Sequence, residues 1–185
     1  FFKQKTAYEI VDCDWSSDVC SSDLTGKPVL LSSGMSTYAE MGAAVEQVRA
    51  AHAPVGVFQC TTKYPTPLTE VGLNVLDELR ARFNCPTGLS DHSGKPFPAL
   101  AALARGADMI EVHFALSRTM FGPDVPVSLE PGELRLLTDA RDAIAEMDAH
   151  PVDNDAAAEA LAPMRALFRK SVAPAQPLAI GRAHV

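Results

Sequence analysis

The sequence predicts an α/β protein, built as a partial (β/α)8 TIM barrel of four consecutive βα units. Three observations carry that prediction. Short apolar runs alternate with stretches of helical period, the pattern of a parallel sheet. The runs close in small polar residues or histidines, which suits the carboxyl ends of buried parallel strands. Their starts lie roughly 22 to 32 residues apart, a structural period that fits half of an eight-unit barrel of ~250 residues. An open doubly wound sheet shares this spacing and is the competing fold.

Regular patterning begins at Lys27. Pro28-Val29-Leu30-Leu31-Ser32-Ser33-Gly34 reads as a buried strand, and Thr37-Tyr38-Ala39-Glu40 has the spacing of a capping box. Met41, Ala44, Val45 and Val48 then recur at helical spacing. The second strand is Val55 to Thr62, followed by the loop Lys63-Tyr64-Pro65-Thr66-Pro67 and a helix with the apolar face Leu73, Leu76, Leu79 and Phe83. The third strand, Thr87 to His92, leads to a helix over Phe97–Ala104. The fourth, Met109 to Phe114, is followed by a long loop, Ser117 to Ser128. A fourth helix starts near Pro131, a favoured first-turn residue, and carries Leu134, Leu137, Ile144 and Met147. These units make one domain over residues 25–150. Beyond it, Asp153 to Ala162 reads as a short helix ending near Pro163, and Arg165 to Pro177 as a linker, so residues 151–185 are expected to be linker and tail.

Residues 1–24 are dense in Ser, Asp and Cys and show no sustained period. They lack the apolar core of a signal peptide. Phe1 to Leu24 resembles a translated sequencing adaptor, and Ile180 to Val185 resembles its counterpart, so both ends are expected to be non-biological.

Composition removes several classes. The chain has 185 residues, 47% of them hydrophobic, and a net charge of -7, which suits a soluble globular domain. The acidic balance and the lack of a basic stripe argue against nucleic acid, and no apolar run approaches the ~18 residues of a membrane span. Cys13, Cys20, Cys60 and Cys85 show no zinc-ribbon spacing and read as reduced thiols of a cytoplasmic protein.

The chemistry is expected at Gly88-Leu89-Ser90-Asp91-His92-Ser93 and Ile110-Glu111-Val112-His113-Phe114. Both histidines fall at strand ends, where parallel sheets bind ligands. Alternation puts Ser90 with His92 on one face of their strand, and Glu111 with His113 on one face of theirs. Two imidazoles from adjacent strand ends, with a carboxylate one layer below, suit a divalent metal. The competing reading is a pair of satisfied polar residues at strand termini. Ser32-Ser33-Gly34, leading into a helix N-terminus, offers backbone N–H groups to an anion.

Four motifs occur in order: Gln59-Cys60-Thr61-Thr62-Lys63-Tyr64-Pro65-Thr66-Pro67, Gly88-Leu89-Ser90-Asp91-His92, Glu111-Val112-His113-Phe114 and Gly122-Pro123-Asp124. Together they resemble the sialic acid synthase (N-acetylneuraminate synthase) family over about residues 27–148, and Pro28 to Met35 and Ser128-Leu129-Glu130-Pro131 fit it too. Such enzymes condense phosphoenolpyruvate with an N-acetylhexosamine such as N-acetylmannosamine and release phosphate. The resemblance implies the C-terminal half of a TIM barrel, strands five to eight. It implies His92 and His113 as ligands of a divalent ion, commonly manganese, with magnesium and cobalt as alternatives. It also implies Ser90 and Thr62 near phosphoenolpyruvate, and Tyr64 and Asp124 against the amino sugar. Glu111 and Asp124 are then the candidate catalytic carboxylates, Glu111 by orienting the His113 imidazole or balancing the metal charge. Structural alternatives are a small packing residue for Ser90, a loop anchor for Tyr64 and a turn residue for Asp124. Asp91, of opposite parity to His92, is expected to cap the following helix.

Departures bear on substrate choice. Thr62 stands where many members carry Asn or Ser, Val112 replaces a common basic residue, and Ser93 replaces Thr. The products of relatives include legionaminic and pseudaminic acids. The family's first strands and its C-terminal antifreeze-like domain, which completes the partner's site in a homodimer, have no counterpart. Strands near Pro28 and Met109 are therefore expected to be unpaired edges, and the polypeptide alone inactive and marginally stable. Two other classes stay open: a non-catalytic barrel relative or scaffold, and a metal-dependent hydrolase.

Overall fold

The structure, a computed structural model, describes residues 27–170. The expectations for residues 1–24 and for Ile180 to Val185 lie outside the described residues. Five parallel strands cross one sheet in chain order: β1 (Val29–Ser32), β2 (Val55–Cys60), β3 (Thr87–Asp91), β4 (Met109–Phe114) and β5 (Ser128–Leu129). Helices α1 (Tyr38–Ala50), α2 (Leu73–Phe83) and α3 (Pro96–Ala104) link the first four. A short 3-10 turn at Val125–Val127 leads into β5, and α4 (Pro131–Ala149) follows it.

The four expected units are thus carried on five strands. β5 has two residues and begins at the end of the expected loop, too short for any alternation to reveal it. It forms because the carboxyl end of β4 offers a free backbone edge: His113 pairs with Ser128, and Phe114 with Leu129. The numbering five to eight therefore does not follow from the strand count. Nor is β4 an unpaired edge. The open edges of the described sheet are β1 and β5.

Helix α1 begins with a closed capping box. The Thr37 N–H donates to Glu40 Oε2 at 2.7 Å and the Glu40 N–H to Thr37 Oγ1 at 3.3 Å, satisfying donors that the helix leaves free. Its buried face, Met41, Ala44, Val45 and Val48, packs on Val29, Leu31 and Val57. Val71, Leu76, Leu89 and Ala102 continue the layer, and Ala99, Leu129 and Leu137 close it. Each fully buried Leu here contributes about 1.5–3 kcal/mol. One parity of every strand is committed to this layer, so the other parity faces the opposite side.

On that opposite side the strands alternate small and large residues. Gly88 is opposite Phe58 in register, and a Cβ on Gly88 would lie 2.6 Å from Phe58 Cε1 and 2.5 Å from the Met109 carbonyl oxygen. A Cβ on Gly56 would lie 2.8 Å from Met109 Cε and 3.1 Å from Leu30 Cδ2. Large side chains thus lie across the two glycines and leave the next layer, toward the strand ends, to polar residues.

Of the expected apolar face of α4, Leu137 is buried, whereas Met147 is 65% exposed. The chain divides into two compact units at Glu146 and Met147. In the second, α5 (Asn154–Ala160) is capped by the Asp153 carboxylate, which accepts from the Asp155 and Ala156 N–H groups. Pro163 stands just beyond the end of that helix at Ala160, near where that end was expected. It sits in the first turn of α6 (Ala162–Phe168), where its missing N–H costs nothing, so the expected linker is helical as far as Phe168. Among the described residues no helix is long and apolar enough to cross a membrane.

Candidate functional site

Register brings the polar layer together. Cys60 of β2 pairs with Ser90 of β3, and Ser90 pairs with Glu111 of β4, so the three share a face in one row. Within that row the Ser90 hydroxyl donates to Glu111 Oε1 at 2.6 Å. Two residues further along their chains stand His92 and His113, both buried, with ring centroids 5.2 Å apart. Glu111 lies one layer below them, and its hydrogen bond here is to Ser90.

His92 is held from several directions. The Thr61 carbonyl accepts a hydrogen bond from its imidazole, and the Tyr64 hydroxyl lies 2.9 Å from Nε2. A neutral ring carries one N–H; in the tautomer with that proton on Nδ1, Nε2 holds the lone pair and accepts from the Tyr64 hydroxyl. Cys60 Sγ lies 4.0 Å from Nδ1. Burial, aided by the neighbouring His113, pushes the His92 pKa down to about 4, so the ring is a neutral donor at ordinary pH. Burial likewise raises the Cys60 thiol.

The second imidazole faces Asp124 from the loop before β5, with Nδ1 to Oδ2 at 3.8 Å. That separation is too long for a hydrogen bond. Arg118 holds this loop. Its guanidinium reaches Glu133 Oε2 at 2.6 Å, Glu130 Oε2 at 3.3 Å and the Gly94 carbonyl at 3.0 Å, joining the loop to the turn after β3. Gly94, at φ +66°, lets the turn approach, since a Cβ there would lie 2.5 Å from the Pro126 carbonyl.

Of the residues singled out in the sequence, His92, His113, Tyr64 and Asp124 converge, with Ser90 and Glu111 beneath them. Thr62 stands apart, exposed at the end of β2, with Oγ1 3.6 Å from where a Cβ on Gly34 would be. Asp91 does not cap α3, whose N-cap is Lys95. Its Oδ2 accepts from Ser93 Oγ at 2.7 Å, its Oδ1 is buried without a hydrogen bond, and burial raises its pKa. Sequence reading passed over Thr66. This buried residue donates its N–H to the His92 carbonyl at 3.0 Å and its hydroxyl to the Lys63 carbonyl at 2.7 Å, tying the Tyr64 loop to β3. No periodicity marks such a loop residue. Arg118 was passed over for the same reason, whereas the parity of Cys60 was readable.

The donor set suits a divalent cation in part. Two adjacent, buried imidazoles, one of them neutral at ordinary pH, are good ligands for a borderline ion. Among the described residues no group of three or more His, Cys, Asp or Glu is arranged to hold one, so two imidazoles are what this region offers.

Comparison with known proteins gives the same region a lineage. Residues 7–152 match the model of the NeuB family. The chain is 40% identical over 114 residues to N,N'-diacetyllegionaminic acid synthase of Campylobacter jejuni, covering 60% of this chain and 34% of that protein. It is 36% identical over 110 residues to human N-acetylneuraminate-9-phosphate synthase, covering 59% and 31%. The chain thus spans about a third of the length of these curated relatives. Among solved structures, the sialic acid synthetase of Leptospira borgpetersenii, crystallised with citrate, superposes with a TM-score of 0.69 at 28% identity, over 84% of this chain and 57% of that one. A truncated 3-deoxy-D-arabino-heptulosonate 7-phosphate synthase of Thermotoga maritima, at 19% identity and a TM-score of 0.60 over 72% of this chain and 55% of that one, shares the fold. With four motifs in order, the parallel sheet that carries them and a family match over most of its length, this chain belongs to the NeuB family.

Proposed function

We propose that this chain is the C-terminal part of the barrel of a nonulosonic (sialic) acid synthase, which condenses phosphoenolpyruvate with an N-acetylhexosamine such as N-acetylmannosamine and releases phosphate. One observation carries the reading: two buried imidazoles at neighbouring strand ends, directly above the Ser90–Glu111 pair. His92 and His113 would hold a divalent ion, manganese first, with magnesium or cobalt as alternatives. Bound there, such an ion supplies Lewis acidity to the aldehyde oxygen of the open-chain sugar.

The residues of this chain do the rest. His92, neutral at ordinary pH, has one ring lone pair to offer, and the Thr61 carbonyl accepts a hydrogen bond from the ring. Asp124, 59% exposed beside His113, faces outward to receive sugar hydroxyls, and Tyr64 stands over both rings. Ser90 and Thr62 serve the phosphoenolpyruvate side. Attack of the enol carbon of phosphoenolpyruvate on the sugar aldehyde would leave a cationic carbon, to which water adds before phosphate departs. Glu111, in the layer below and accepting from Ser90, would balance the metal charge.

The complete protein would act as a homodimer in the cytoplasm, with no nucleic-acid or membrane partner. This polypeptide by itself would be inactive, because β1 is an open edge and Leu30 on it is 38% exposed. Manganese titration of the chain by calorimetry, against a His92→Ala, His113→Ala double variant, tests the reading. Binding that vanishes in the variant supports it. Equal binding in both moves the scaffold alternative ahead.

A further inference from the structure

The Tyr64 hydroxyl stands where a metal ion would have to arrive. It lies 2.9 Å from His92 Nε2, which holds the ring lone pair in the tautomer protonated on Nδ1. An imidazole nitrogen cannot accept from a hydroxyl and ligate a cation with the same lone pair. We propose that Tyr64 is a placeholder: its hydroxyl donates to His92 Nε2 while the site is free of metal, and swings away when the imidazole ligates. This rests on the metal-binding reading of the two histidines.

The surroundings are built for a side chain that moves on a backbone that does not. The phenol is 40% exposed, so its hydroxyl finds water as soon as it leaves the ring. Its loop is pinned on both sides. Thr66, 5% exposed, donates its N–H to the His92 carbonyl and its hydroxyl to the Lys63 carbonyl. Lys63 pairs with Glu70 at 2.8 Å, and the Thr61 hydroxyl donates to the Glu70 carbonyl at 2.7 Å. The ring meets His92 at 4.2 Å between centroids and His113 edge-on at 6.0 Å, so one aromatic side chain covers both ligands. A small rotation of Tyr64 opens the pair without disturbing the strand ends. The hydroxyl thereby keeps a buried lone pair satisfied in the free protein, at the expense of metal affinity.

Tyr64→Phe separates this role from the others, because the ring stays and only the hydroxyl goes. In the metal-free chain, the 15N resonance of His92 Nε2 should move toward that of an unbonded imidazole nitrogen. Manganese should then bind the variant about 2- to 10-fold more tightly, the worth of one neutral hydrogen bond. An unchanged resonance, or manganese affinity that is equal or weaker in Tyr64→Phe, overturns the placeholder. Weaker binding would make the tyrosine a ligand. If neither protein binds manganese while the resonance shifts, the metal-binding reading is what fails, and the placeholder falls with it.

Discussion

Lowering the pH should destabilise this protein through His92, by an amount that its surroundings set. The ring is 2% exposed, and burial first, then the neighbouring His113, depress its pKa from an ordinary 6.5 to about 4. Between those values the unfolded chain binds a proton that the folded chain refuses, so stability rises with pH and falls as pH falls. The contribution is fully present above pH 6.5. The loss amounts to about 1.4 kcal/mol at pH 5.5 and about 3 kcal/mol at pH 4. Other groups titrate over the same range, so the reference is His92→Gln measured in parallel, with chelator present throughout. Urea unfolding followed by far-ultraviolet circular dichroism yields both stabilities. At about pH 7.5 the wild type should hold its largest advantage, and that advantage should shrink by about 3 kcal/mol as the pH approaches 4. Two curves that stay parallel across this range would show that the folded ring titrates normally, and would refute the account of its burial.

Two further outcomes concern packing. Gly88→Ala places a methyl 2.5 Å from the Met109 carbonyl, a backbone atom that cannot swing aside, and should cost about 1–3 kcal/mol, seen as a lower thermal midpoint. Gly132→Ala, in the first turn of α4 with nothing within 4 Å, should instead be neutral or stabilising by up to about 1 kcal/mol. If both lower the midpoint alike, the crowding at Gly88 is not real. Arg118→Ala removes the clasp from Gly94, Glu130 and Glu133, yet that guanidinium is 40% exposed, so global stability should change by less than about 1 kcal/mol. The effect should appear locally, as faster proteolytic cleavage within the loop that carries Asp124. Unaltered cleavage kinetics would remove Arg118 as the loop's anchor.

The division between what was legible and what was not follows the reach of each interaction. Local chemistry is written in the sequence. The capping box at Thr37 and Glu40, the helical faces of α1 and α2, the bounds of β4 and the parity that groups Ser90 with His92 all depend on neighbours within a few residues. So does the placing of both histidines at strand ends. Tertiary structure alone decided register, because alternation says which face a residue takes and not which residue it meets on the next strand. That choice aligned Cys60, Ser90 and Glu111 and gave the Ser90 hydroxyl to Glu111. It also decided β5, whose two residues become a strand only because β4 presents an edge, and Pro163, which opens α6 where a sequence reading ends α5. The contact of Tyr64 with His92 belongs to the same class. A loop and a strand end, 28 residues apart in the chain, meet there because Thr66 binds one to the other, and no period along the sequence encodes a meeting of that kind.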